Sequence, residues 1–224
     1  MKRILSEAWS FLISKLNINK HSKIGQPVCS EEQLREMVEP YMSADNWLEN
    51  TDVLSQKDFS LIGRFIQIYC IADFNARRVI DVMREIRTGQ KDNFASTLNE
   101  VDVLLHLRRS GEMWMGREDV REALTNLVNL LEMHRQFRHY FAHWVVRRVK
   151  GVDVFLILTK SAENPSKRGG IRQDVDKATY AVFMADTLRD EMVKLIEQGE
   201  FLAKFASFLE GNRSSLRDEH RSRE

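Results

Sequence analysis

The chain has 224 residues, 43% of them hydrophobic and 30% charged, which is the balance of a folded globular protein and excludes a disordered one. Thirty-four Lys and Arg stand against 33 Asp and Glu, so the net charge of +1 exerts no global pull on nucleic acid, and RNA or DNA binding would need a local patch. Only 3 Pro and 10 Gly interrupt the chain, which favours long helices, and no stretch approaches the roughly 20 apolar residues of a membrane span.

Ile4, Leu5, Ala8, Trp9, Leu12 and Leu16 recur at helical spacing and predict an amphipathic first helix. Its polar face is not strongly basic, so packing on the domain is favoured over a membrane surface. The segment carries Glu7 and does not read as a signal peptide. Residues 17–29 predict a loop, and Ser30 with Gln33 a weak capping box for a short helix that bends or ends at Pro40. Residues 1–54 together read as an N-terminal helical extension.

From about Ser55 to Arg87 the only breaker is Gly63. Apolar residues crowd more than one face, as in a central helix or one buried against a partner. A third segment spans Phe94 to Leu107, and Gly111 and Gly116 bracket a turn around Trp114. A second long helix is predicted from about Arg117 to Lys150, stopped by Gly151.

The period then changes. Val152–Thr159 and Ala178–Met184 read as two strands of an appended hairpin, at about 152–184, around a polar loop holding Lys167, Arg168 and Arg172. Asp186 is placed to cap a final helix to about Leu209, with Gly211 as its stop. Residues 212–224 predict a flexible charged tail. The fold class expected is mainly α, a helical bundle with an appended β-hairpin.

Cys29 and Cys70 have neither motif spacing nor a secretory context. Both are expected as reduced thiols, Cys70 within a buried apolar run, and the compartment expected is the cytoplasm. Phosphate-binding loops, dinucleotide fingerprints and nucleophile elbows are all missing.

What stands out is Gln136-Phe-Arg-His-Tyr-Phe-Ala-His-Trp144, where four residues separate Arg138 from His143. Spacing alone means little: about one or two Arg-(four to six)-His matches arise by chance in such a composition. Arg213 and His220 make a second match. At about 100° per residue, Leu130, Met133, Phe137, Tyr140, Phe141 and Trp144 form one apolar stripe, and Arg138, His139, Ala142 and His143 lie on the remaining arc. Val128, Leu131 and Val146 continue that arc, which predicts that it meets another helix or a second copy of the chain.

This helix resembles the signature of the HEPN superfamily, helical proteins that include many RNases of toxin, antiviral and RNA-processing systems. The family pattern is Arg, a polar residue, three to five further residues, then His; Arg138, His139 and His143 fill those places. The resemblance extends less specifically over residues 55–211, where Leu61-Ile-Gly-Arg-Phe-Ile66 is similar to the start of the first core helix in bacterial members.

The resemblance implies an obligate homodimer in which two motifs form one composite site, and a metal-independent endoribonuclease with no cofactor. In such enzymes the ribose 2′-OH attacks the adjacent phosphate. His143 would move protons, Arg138 would hold the phosphate oxygens, and His139 would orient the phosphate or assist proton transfer. Arg135, Arg147, Arg148 and Arg64 are candidate RNA-backbone contacts, although cations near a helix end also suit its dipole. Arg64 lies within a largely apolar region, where a carboxylate partner is favoured over a place lining the site.

The expected role is a toxin or phage-defence effector, with an antitoxin or regulatory protein as further partner and no membrane. Val145 stands where members paired with a nucleotidyltransferase antitoxin often carry Tyr, which argues against that form of control. The rival reading is a non-catalytic HEPN module that binds RNA, a nucleotide or a partner protein. Two His four apart would also suit half of a zinc site, but no Glu follows His139 and no third ligand is evident.

Overall fold

The computed structural model describes Glu36 and residues 49–112, 118–159 and 179–222. The expected N-terminal helices, Cys29, the Trp114 turn and the basic loop around Lys167, Arg168 and Arg172 lie outside the described residues.

Strand β1 is Thr51–Asp52, followed by the long helix α1, Gln56–Thr88. A 3-10 turn, Phe94–Thr97, leads to α2, Glu100–Glu112, and then α3, Glu118–His143. Strands β2 (Val145–Val149), β3 (Val154–Thr159) and β4 (Thr179–Met184) come next, then α4, Ala185–Gly211, and α5, Arg213–Arg221. The chain is mainly helical with one small antiparallel sheet. No helix among the described residues is long and apolar enough to cross a membrane.

The residues group into two compact units, and α1, α3 and α4 each contribute to both. In the unit drawing on 67–136 and 192–222, the core is aliphatic: Val79, Ile80 and Met83 from α1, Leu107 from α2, Leu124, Leu127 and Leu131 from α3, and Leu195, Leu202 and Phe205 from α4 are all buried. Polar ties fix its helices at long sequence separation. Arg78 donates to both carboxylate oxygens of Glu210 at 2.9–3.0 Å, and Arg77 donates to the carbonyls of Ala95 and Leu98. His134, fully buried, lies 3.1 Å from the Gln198 side-chain oxygen through its Nδ1.

In the unit drawing on 49–66 and 137–191, the sheet order is β1-β2-β3-β4, each pair antiparallel. Val154 to Leu158 of β3 are buried without alternation, as in a strand covered on both faces. Val154, Leu156 and Leu158 pack with Val149, while Phe155 meets Phe141 edge-on at 5.8 Å.

The predicted hairpin of β3 and β4 is present, as part of a larger sheet. Strand β2 corrects the expectation of a helix running to Lys150: α3 ends at His143, and Val145, Val146 and Val149 pair into the sheet instead. β-branched residues lose side-chain freedom in a helix and fit a pleated surface. Gly151, expected as a helix stop, supplies the positive φ of +76° in the turn between β2 and β3.

Two further expectations are corrected. The tail, expected as flexible, is helical over 213–221: α5 buries Leu216, pairs Arg213 with Glu85 at 3.1 Å, and directs Arg217 to the Gly89 carbonyl. Cys70 is exposed on α1 and not buried, and Phe59, Ile71 and Phe74 also face solvent on this helix. The apolar crowding of α1 is therefore only partly consumed by the core.

Candidate active site

Helix α3 carries every residue of the Arg-His motif. Its last turn is anchored by aromatic packing: Phe141 is buried, with Phe65 of α1 at 6.3 Å, Phe155 at 5.8 Å and Phe183 of β4 at 5.6 Å. Phe137 meets Phe183 edge-on at 4.7 Å, and Tyr140 lies 4.6 Å from Trp144. Such contacts hold the backbone register of the helix end, so the direction of the intervening side chains is set by the 3.6-residue period.

Of the predicted stripe only Phe141 is buried and the rest is half-buried, and the opposite arc is not plain surface. Val128, Leu131, Arg135 and His139 are all buried within the chain, so along most of α3 this arc is covered by the protein itself. Only the final turn opens. Ala142 and His143 are exposed and Arg138 is half-buried. The rings of His139 and His143 are 4.7 Å apart, and neither Arg138 nor His139 is a free side chain, since each is engaged within the chain.

The motif therefore presents one solvent-facing imidazole, a second imidazole behind it, and a guanidinium one turn earlier. The small Ala142 beside His143 leaves the approach open. An imidazole can accept or donate a proton near neutral pH, and a guanidinium can hold phosphate oxygens. The other Arg-His match is a poorer candidate: Arg213 is bound to Glu85.

The accessory cations behave differently from expectation. Arg135 is buried and forms a fork with Glu132, donating through Nε at 3.0 Å and Nη2 at 2.5 Å. That carboxylate raises the Arg135 pKa; burial pushes Glu132 up, but hydrogen bonds from Arg135 and Gln136 outweigh it and hold its carboxyl below the usual value. Arg147 donates to the hydroxyl and carbonyl of Thr51, stapling β2 to β1. Arg148 bridges Asp58 at 2.8 Å and Asp153 at 2.6 Å and lies over the Phe155 ring at 4.3 Å.

All three are structural cations with their donors committed inside the fold. Arg64 is the reverse: exposed on α1, next to the Phe65 that packs on Phe141, with no hydrogen bond or ion pair to any described residue. The carboxylate partner that its apolar setting suggested is not found among those residues.

The chain matches no protein-family model, no curated protein and no solved structure with which it was compared. Function must therefore be read from the residues. Among the described residues, no group of three or more His, Cys, Asp and Glu is arranged to hold a metal ion.

Sequence reasoning missed the burial of His139. The helical wheel places it off the aromatic stripe, on the arc expected to meet another helix or a second copy of the chain. Val128, Leu131 and Arg135, at helical spacing towards it, were the signal: two aliphatic residues on one arc mark a face that something covers.

Proposed function

We propose that the chain is a metal-independent endoribonuclease of HEPN type, acting as a homodimer with Arg138 and His143 of both copies in one composite site. The observation that carries this reading is the exposure of His143 and Ala142 at the last turn of α3, just past an arc that is buried at Val128, Leu131, Arg135 and His139. An exposed His on an aromatic-anchored helix end, with an Arg five residues earlier, suits chemistry on an external phosphodiester.

In the proposed reaction, His143 of one copy takes the proton from a ribose 2′-OH as that oxygen attacks the adjacent phosphorus. A new 2′-O–P bond forms and the P–O5′ bond breaks. His143 of the partner subunit donates a proton to the departing 5′ oxygen. The products are a 2′,3′-cyclic phosphate and a 5′-OH end. Arg138 neutralises the charge that grows on the non-bridging oxygens. His139, one turn from His143 and buried, orients the reactive ring and does not touch substrate. The need for a 2′-OH restricts the reaction to RNA. A toxin or phage-defence role, cytoplasmic, with an antitoxin or other regulatory protein as partner, belongs to the same proposal.

The test is cleavage of mixed RNAs by purified protein in EDTA, with mass analysis of the ends. Cyclic phosphates, lost in both Arg138→Ala and His143→Ala while the dimer persists, support the enzyme. Activity surviving both substitutions overturns the assignment of the site.

A second reading is favoured by one specific observation. Arg135, Arg147 and Arg148 are all bound inside the fold, which leaves Arg64 as the one of the four candidate backbone contacts with no described partner. A non-catalytic HEPN module binding RNA, a nucleotide or a partner protein fits that economy. Absence of cleavage across diverse RNAs by a folded dimer would select it.

A further inference from the structure

A cavity of about 180 Å³ opens within the unit formed by residues 67–136 and 192–222. Its floor is apolar, from the buried Ile80 and Met83 and the ring of Phe94. Its rim is cationic, from Arg84, Arg87 and Arg109, with the His106 imidazole beside them.

The charges are unevenly matched. Arg84 donates through Nε to Asp92 at 2.9 Å and lies 4.4 Å above the Phe94 ring, which fixes it at the edge of the cavity. His106 meets the same ring edge-on at 5.0 Å. Arg87 and Arg109 are exposed and have no hydrogen bond or ion pair to any described residue. Nearby carboxylates are otherwise engaged: Asp81 accepts the Ala95 N–H at 2.8 Å, and Glu85 holds Arg213. Among the described residues, three guanidinium groups thus line one cavity and a single carboxylate, Asp92, is bound to one of them.

Arg87 and Arg109 also sit in the last turns of α1 and α2, where a cation offsets the negative end of the helix dipole. That role accounts for a positive residue at each position. It does not account for two such residues and Arg84 sharing one apolar-floored cavity, with a stacked and ion-paired arginine already in place.

We infer that this cavity binds a small phosphate monoester, its phosphate held by Arg87 and Arg109 and its organic body seated on Ile80, Met83 and Phe94. Guanidinium groups match phosphate oxygens through paired N–H donors, and the apolar floor gains from a ring or sugar that free phosphate lacks. The volume admits a compact monoester and excludes a dinucleotide. The cavity shares no residue with the Arg138–His143 site.

The test uses the full chain, with phenyl phosphate and inorganic phosphate as probes, binding read by calorimetry and by the probe's phosphorus resonance. Phenyl phosphate is expected to bind, and to bind more tightly than inorganic phosphate. Each of Arg87→Gln and Arg109→Gln is expected to weaken it by at least about tenfold, one charge-assisted hydrogen bond's worth. Lys204→Gln, an exposed cation of α4 paired with Glu200, is expected to leave binding unchanged.

Equal weakening by Lys204→Gln would show diffuse attraction and overturn the inference. So would absence of binding by the folded wild-type chain, or binding unaltered in the double variant Arg87→Gln/Arg109→Gln. A single-stranded RNA oligomer that competes at these residues, when phenyl phosphate does not bind, would also overturn it and point to a backbone contact. Thermal melting of each variant without probe separates loss of helix capping from loss of the site.

Discussion

His139 and His143 lie one helical turn apart with rings 4.7 Å from each other, yet His139 is 9% exposed and only His143 reaches solvent. One helical turn separates a packed histidine from an exposed one. His143→Ala is expected to lower RNA cleavage by about 10²- to 10⁴-fold, the usual worth of a general acid or base, while changing stability by less than about 0.5 kcal/mol. His139→Ala is expected to cost about 1–3 kcal/mol in urea unfolding, because it removes a buried polar side chain and opens a gap. Equal stability losses in both variants would contradict this division.

The Asp58–Arg148 pair gives stability a defined pH dependence. Burial pushes the Asp58 carboxyl up, but hydrogen bonds from the Ser55 hydroxyl, Arg148 and the Ser55 N–H outweigh it and leave the pKa below the ordinary value. A depressed folded-state pKa means that the contribution is fully present above the unfolded value of about 3.9 and is lost as pH falls through the folded value. Asp58→Asn is expected to cost about 1–3 kcal/mol at pH 7, since it removes one of the two carboxylates on a largely buried guanidinium and leaves Asp153. The gap between wild type and variant is expected to narrow below about pH 4 in acid titrations of unfolding. A gap independent of pH would rule out the carboxylate as its source.

Much of the helical frame was legible. The breaker-free runs that became α1 and α4, and the β-branched runs of β3 and β4, carry their signals locally. The end of α3 did not: Val145-Val146-Arg147-Arg148-Val149 suits a basic last turn as well as a strand, and pairing with β3, a tertiary event, decides between them. The same limit governed the site. The sequence marks Arg138, His139 and His143 as unusual, but which cation is spent inside the fold depends on Thr51, Asp58, Glu132 and Asp153. The first two stand 96 and 90 residues from the arginines they bind. Charge composition cannot reveal such pairings.

The C-terminal helix illustrates a related point with a consequence for stability. Residues 212–224 look too polar to fold, but one apolar side chain suffices when a charged pair flanks it: Leu216 is buried, Arg213 reaches Glu85, and Arg217 reaches the carbonyl of Gly89, whose φ of +76° terminates α1. Leu216→Ala is expected to destabilise the protein by about 2 kcal/mol, the low end for a buried leucine because it is the one buried residue of a short helix. Truncation after Gly211 is expected to cost at least as much and to raise hydrogen exchange at the end of α1. A truncated chain as stable as the full one would show that α5 only rests on the surface.

Arg64 and Arg135 separate function from fold among the cations. Both were candidate RNA contacts, and they differ in environment: Arg64 is exposed with no described partner, whereas Arg135 is buried and forked onto Glu132. Under the proposed function, Arg64→Gln is expected to weaken RNA binding by about threefold to tenfold in low salt and to flatten its salt dependence, with little effect on unfolding. Arg135→Gln is expected to do the opposite. It leaves the half-buried Glu132 without its guanidinium and costs about 2–4 kcal/mol, with RNA affinity unchanged once the folded fraction is accounted for. Filter binding over a salt series together with urea unfolding reads both quantities. A loss of affinity in Arg135→Gln without a loss of stability would place that residue at the RNA surface, against the geometry of its ion pair.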